Sequence, residues 1–546
     1  MRRRVFLAGV GVSVVAASCG NRGGGQTSSS TSAGPGRPLP EGITAIISKP
    51  RYANSTWSLL VSDVATGETC YQLDPDTMVL TGSTRKLFSV GMALNTLGGG
   101  HRVTTPVYRT GAVDPQGRLA GNLILVGSGD LTFGGRRVDA NTVQYTDFDH
   151  NDANALGTAI LTPQDPLYAL NQLAQQVKAS GITSVSGDVI VDDRLFTAYR
   201  VPNGNLLITP ILVNENMVDV VVAPTTVGQP ATVDYRPKTP ALTVDGVIAT
   251  AAAGSKNTVS LSDQGRVQCV GLPDCAGTVS GGLPERYRAP LSGDPTYAGT
   301  FRIEDPAAFA RTAFIQALQA HGVLTTVPVV AKNPSADLPE SFSYQRDARV
   351  ASFESAPYSQ QARLILKVSL NLGANLGLSL FGVEKGRTTI EGALAAERQT
   401  LVTDFKIDGN QFDFPTNGSG TPDSRATPRA LVQLLTAMTK TAVAADYQAA
   451  LPVLGVDGSL AHTGQSLPGV GHVFAKPGTT IAAGPDGETL ELKAQNLAGY
   501  IETKGGRKVA YALMVNKAGP IADIHNDVTA VFEDEAEISS IIYQTL

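Results

Sequence analysis

The stretch TGSTRKLFSV, Thr81 to Val90, sets a serine and a lysine three residues apart. Leu87, Val90, Leu94 and Leu97 then recur at helical spacing until the glycines at 98–100. Ser83 therefore falls at a helix start with Lys86 one turn further along the same face. A serine hydroxyl is a weak nucleophile and needs an adjacent base, and a lysine serves when burial or nearby cations lower its pKa. The free N–H groups of the helix start can hold an oxyanion beside the serine. The same spacing also describes an ordinary polar first turn, so the pair gains meaning only from further groups.

Two later stretches supply them. KVSLNLGANLGLSLFG contains Ser369-Leu370-Asn371, and HVFAKPGTTIA contains Lys476-Pro477-Gly478-Thr479 between β-like flanks. In this order the three pieces resemble the S-x-x-K, S-x-N and K-T-G signature of serine β-lactamases and penicillin-binding proteins. The long stretch between Lys86 and Ser369 resembles one branch of them, the D-alanyl-D-alanine carboxypeptidase/endopeptidase family of low-molecular-mass, class C penicillin-binding proteins, which insert two domains there. GNLILVGSGDLTFGG, GDVIVDDRLF, ITPILVNENMVDVVVAP, LPVLGVDGSL and Asn417-Gly418-Ser419-Gly420 are similar to recurring segments of that family.

The resemblance implies a role for each residue. Ser83 is the acylated nucleophile and Lys86 takes its proton. Ser369 relays a proton to the leaving amine, while Asn371 holds the acyl amide and helps position Lys86. Lys476 pairs with the substrate carboxylate. Gly478 and Thr479 bind substrate, with the Thr479 N–H joining that of Ser83 as oxyanion donors and the Thr479 hydroxyl as a carboxylate donor. The implied partners are peptidoglycan stem peptides and β-lactam antibiotics, with no cofactor. Leu370 stands where the family more often has a polar residue. Pro477 replaces a threonine, which removes a hydroxyl and a backbone donor. On an edge strand that proline costs no ladder bond. Two other readings stay open: a non-enzymatic muropeptide binder, motivated by Pro477, and a β-lactamase, for which no deacylation base is identifiable. His462-Thr463-Gly464 imitates K-T-G, but QSLPG follows it, a loop sequence. No G-x-S-x-G elbow points to a Ser-His-Asp hydrolase.

The elements that must position these groups form an α/β (α+β) β-lactamase/transpeptidase-like domain in two parts, 41–103 and 301–546, around a mostly β inserted region at 104–300. WSLLVSDVATGETCYQL reads as a hairpin turning at Thr66-Gly67, and LAGYIETKGGRKVAYALMVNK as another turning at Gly505-Gly506. Helices are expected near Tyr168–Ser180, over DPAAFARTAFIQALQAHG and over the final twenty residues.

Residues 1–19, MRRRVFLAGVGVSVVAASC, form an export signal: a basic start, an apolar run too short to span a bilayer, then small residues before Cys19. Arg3-Arg4 resembles a twin-arginine address, and Ala16-Ala17-Ser18-Cys19 a lipoprotein cleavage box, with Cys19 as the lipidated residue and the cytoplasmic membrane as anchor. A plain cleaved signal gives the same run. Residues 20–40 are Gly- and Ser-rich and read as a flexible tether. The protein is thus expected in the extracytoplasmic envelope. Cys269 and Cys275 bracket a short loop and could pair there, leaving Cys70 as a small buried apolar residue. The histidines follow no metal-ligand spacing, so no metal is expected. A net charge of −5 over 546 residues gives no basic footprint for nucleic acid.

Overall fold

The computed structural model describes residues 37–546, apart from 342, 485 and 488. The export signal, Cys19 and most of the tether lie outside the described residues. Strand Lys508–Asn516, KVAYALMVN, shows how the main sheet is built. Val509, Tyr511, Leu513 and Val515 enter one core, while Ala510, Ala512 and Met514 enter another. A strand covered on both faces reads as a continuous apolar run, not an alternating one.

The sheet runs in the order Thr69–Leu73, Thr56–Asp63, Lys508–Asn516, Leu490–Glu502, Val473–Ala483, every neighbouring pair antiparallel. Both predicted hairpins are present, with Gly67 and Gly506 at positive φ in their turns. Helix Ile524–Thr545 covers one face and packs against Glu41–Ile47. On the other face lie helices Lys86–Leu97, Tyr358–Lys367, Asn371–Glu384 and Pro428–Met438 around the largest core. Strand Val473–Ala483 is the open edge, and the turn carrying Ser83 packs against it.

The inserted region leaves through Thr104–Arg109 and returns through its antiparallel partner Arg349–Glu354, with Thr104 opposite Glu354. It therefore extends to about residue 354, not 300. Helix Pro306–Ala320 begins as predicted, with Pro306 at its first position and the Asp305 side chain accepting from the Ala308 N–H. Its apolar face, however, joins Tyr168–Ala179 and the insert strands in a separate core. An amphipathic pattern gives the helix but not which core it faces, which is why the boundary could not be read from it. Segments of the insert also reach the first core through Leu131, Val143, Phe196, Val201, Ile208 and Leu212. Cys269 and Cys275 are bridged and Cys70 is buried. Among the described residues, no helix is long and apolar enough to cross a membrane.

Candidate active site

Ser83 lies in a 3₁₀ turn, Gly82–Arg85, that runs directly into helix Lys86–Leu97. From Thr81 to Leu94 every residue is buried except Ser83, which is partly exposed. A polar first turn of the ordinary kind would expose its lysine; here Lys86 is fully buried. Its Nζ donates to Ser83 Oγ at 2.6 Å and lies 3.3 Å from both Ser369 Oγ and the Ser419 carbonyl oxygen. Burial pulls the Lys86 pKa down to about 7, against the charge of Asp152, which raises it. Near neutral pH much of the lysine is free base, the form that accepts a proton from serine. Arg85, also fully buried, anchors the turn by donating to both oxygens of Glu397 and stacking over Phe414 at 3.9 Å.

Ser369 adopts φ 61°, in the left-handed region that disfavours a serine. Such backbone persists only where its surroundings hold it. The Leu370 N–H donates to the Ile365 carbonyl at 2.9 Å. Two residues before the serine, Lys367 donates to both oxygens of Asp457 and to the Leu451 carbonyl, each at 2.6 Å. Asn371 opens helix Asn371–Glu384, and its Oδ1 accepts from Asn203 at 3.3 Å. Lys86 is thus held by the Ser419 carbonyl, in a place the resemblance gives to Asn371.

The third piece sits on the edge strand. The Ala475 N–H donates to Pro452, outside the sheet, at 2.9 Å, and the Val473 carbonyl accepts from Leu454. Backbone groups of this register therefore face the open edge, and Pro477 falls in it, so the ladder loses nothing. The Thr479 N–H shares the register. Two glycines let the strand meet the serine turn. A Cβ on Gly478 would stand 2.3 Å from the Thr81 carbonyl oxygen, and one on Gly82, itself at φ 49°, would stand 2.7 Å from the Thr479 nitrogen. The Thr479 nitrogen is thereby brought close to the turn that carries Ser83.

Lys476 is fully buried and donates to its own neighbour's carbonyl, Pro477, at 2.9 Å. Burial, then the charge of Lys86, hold its pKa well below the ordinary lysine range, while Asp152 opposes them. The Thr479 hydroxyl does not stand free for a carboxylate: it donates to Gln495 Oε1 on the next strand at 2.7 Å. On the face shared with Lys476 and Gly478, Thr480 Oγ1 meets Thr421 Oγ1 at 3.1 Å. The imitation motif is elsewhere: exposed His462 lies outside any strand and stacks on Phe148.

Sequence reasoning missed Asp152 and Asn203, both from the insert. Burial and the neighbouring Asp149 lift the Asp152 carboxyl to about 7, against Arg302, Lys86 and Lys476. It ends the short turn His150–Asp152, which a buried ion network fixes. Arg136 bonds Asp149 and Glu215, and His150 Nδ1 lies 2.7 Å from Asp219, which also accepts from Arg236. Asp149, His150 and Glu215 bring ligand atoms within 4.8 Å of one another. The Arg136 guanidinium already occupies both carboxylates, however. Burial disfavours a charged His150, yet Asp219 carries its pKa up to about 10, so the ring stays protonated and offers no lone pair there. Nothing in either residue's local sequence marks it; the signal is the long-range packing of the insert.

An antiparallel sheet between terminal helices and a helical layer, with a serine turn at its open edge, is the fold of the penicillin-binding proteins and β-lactamases. Within that class, the model of the D-Ala-D-Ala carboxypeptidase 3 (S13) family matches residues 39–534, and the chain belongs to that family. A D-alanyl-D-alanine carboxypeptidase of Actinomadura sp. (strain R39) is 28% identical over 482 residues, covering 82% of this chain and 79% of the relative. The crystal structure of penicillin binding protein 4 from Haemophilus influenzae shares the fold at a TM-score of 0.64 and 18% identity, over 92% of this chain and 99% of that one. The same protein complexed with a novel β-lactam aligns over the same shares at 0.63 and 18%.

Proposed function

We propose that the protein is a serine DD-peptidase that cleaves D-alanyl-D-alanine bonds of peptidoglycan stem peptides or cross-links and is acylated by penicillins. One observation carries the reading: a partly exposed serine in an otherwise buried turn, hydrogen-bonded at 2.6 Å to a fully buried lysine of lowered pKa. Lys86 removes the Ser83 proton as Oγ attacks the carbonyl carbon. The N–H groups of Ser83 and Thr479 receive the oxyanion, and Ser369, 3.3 Å from Lys86 Nζ, passes the proton to the leaving amine. Water then releases the acyl group. In a β-lactam the leaving amine stays tethered, so the acyl-enzyme persists. Membership of the carboxypeptidase family and the Actinomadura relative support the same substrate class.

The test is mass spectrometry after incubation with a labelled penicillin. The adduct is expected on the peptide containing TGSTRK and is expected to vanish in Ser83→Ala. An adduct that survives the substitution would move the nucleophile elsewhere, and no adduct in the parent would favour a non-enzymatic binder.

A further inference from the structure

Asn203 sits at the tip of the hairpin Tyr199–Val201 and Leu206–Ile208, inside the inserted region. Its neighbours Pro202, Gly204 and Asn205 are exposed, yet Asn203 is 1% exposed. The hairpin is docked on the peptidase part by Tyr199, whose hydroxyl donates to the Asn375 carbonyl at 3.0 Å. The Asn203 amide meets two groups of the candidate site: Asn371 Oδ1 at 3.3 Å and Ser419 Oγ at 3.2 Å.

Which way Asn417 and Asn375 face follows from backbone donors, whose positions leave no choice, and the Ser419 hydroxyl carries that order on to Asn203. Asn417 receives the N–H groups of Ser419 and Gly420 at 2.8 and 2.7 Å, so that atom is its oxygen, and the Ser419 hydroxyl spends its proton there too. Asn375 receives the Gly418 N–H at 2.8 Å, so its NH₂ is the group that points to Ser419 Oγ. With its proton on Asn417, the Ser419 hydroxyl accepts from Asn203. Asn203 therefore presents NH₂ to Ser419 and, from the same nitrogen, to Asn371. Its own oxygen is left buried without a partner. Turning the amide over would set that oxygen against two acceptors and lose both bonds. The outcome is imposed on Asn371: its oxygen faces Asn203, and its NH₂ is left for the partly exposed side.

We propose that Asn203 is a positioning residue that, through Ser419, holds Asn371 with its NH₂ toward the substrate and so selects ligands whose acyl side offers a carbonyl acceptor. The inserted region thus sets specificity at the peptidase centre. This rests on the acylation of Ser83, and the experiment separates the two ideas.

Acylation rates are measured for the parent, Asn203→Ala and Asn203→Asp with benzylpenicillin, which carries an acylamino carbonyl, and 6-aminopenicillanic acid, which has a free amine instead. In Asn203→Ala the ratio of the benzylpenicillin rate to the 6-aminopenicillanic acid rate is expected to fall about tenfold or more, the effect of one misdirected hydrogen bond. Asn203→Asp, an acceptor toward Asn371, is expected to turn that amide over and lower the ratio further. An equal loss for both ligands, or an unchanged ratio in both variants, would overturn the proposal while leaving the peptidase reading intact. A parent that is acylated by neither ligand would sink both.

Discussion

Gly478 approaches Thr81 so closely that a single methyl group on it would stand 2.3 Å from the Thr81 carbonyl oxygen. The contact is backbone against backbone, so no side chain can rotate away. Gly478→Ala must push the edge strand off the serine turn and carry the Thr479 N–H out of register with Ser83. Loss of one oxyanion donor typically costs about a hundredfold in rate or more. The variant is expected to keep its fold, because the strand retains its ladder to Leu490–Glu502, and to lose acylation by at least that factor. Stopped-flow acylation beside circular dichroism checks it; a normal rate would remove the strand from the oxyanion site.

Lys86 gives a pH dependence whose sign is fixed. Its folded-state pKa is lowered from 10.5 to about 7. Acylation is expected to climb about tenfold per pH unit as pH approaches 7 from below and to level off above it. The same lowering opposes stability. Between about 7 and 10.5 the unfolded chain binds the proton and the folded chain does not, so this lysine's contribution makes stability rise with pH across that window. Lys86→Met removes the charge that folding must shed, and every tenfold loss of proton affinity on folding costs about 1.4 kcal/mol at pH 7. The variant is expected to melt higher than the parent at pH 7 while acylation falls about 10²–10⁴-fold. A lower melting temperature in Lys86→Met would mean that the ammonium is better solvated than its surroundings imply.

The pieces of the candidate site were legible because each is local. Ser83 and Lys86 share one helical turn, and Lys476 to Thr479 share one strand. Pro477 was legible as tolerable, since the register of an edge strand settles where its missing N–H points. The insert's return was not. Arg349–Glu354 pairs with Thr104–Arg109 across more than two hundred residues, and no periodicity within either segment names its partner. The same holds for Asp152 and Asn203, ordinary loop residues until packing brings Asp152 within electrostatic reach of Lys86 and Asn203 against Asn371. The Thr479 hydroxyl went to Gln495 for a related reason: its competitor lies on another strand.

Asp152 tests how far the insert governs the lysines. Its charge raises the pKa of both Lys86 and Lys476. Asp152→Asn is expected to move the acidic limb of the acylation profile to lower pH, because Lys86 then sheds its proton sooner. An unmoved limb would place the carboxylate too far away to matter.

An envelope location is a proposal that rests on the first nineteen residues alone. If Cys19 carries the anchor, Cys19→Ala is expected to shift the protein from the membrane fraction to the soluble fraction or the medium, with its penicillin reactivity unchanged. Unchanged fractionation would argue for another mode of attachment.

Pro477 decides how fast the enzyme is. Its register sends the absent N–H toward the open side of the edge strand, while the Thr479 hydroxyl is occupied by Gln495. The carboxylate of a D-alanyl-D-alanine peptide is therefore left with fewer donors than the family pattern supplies. A charge-assisted hydrogen bond is typically worth about 1.5–3 kcal/mol, or roughly ten- to a hundredfold in kcat/KM. Pro477→Thr is expected to raise kcat/KM on such a peptide by about that factor without disturbing the ladder. Lys476→Ala is expected to abolish turnover, because a bound carboxylate favours the charged form of Lys476 that burial otherwise disfavours, and the alanine variant offers it no partner. Steady-state kinetics on the three proteins separates the cases. A fast parent unaffected by Pro477→Thr would show that the carboxylate finds its donors elsewhere, and binding without turnover in both forms would make the protein a muropeptide receptor built on a peptidase fold.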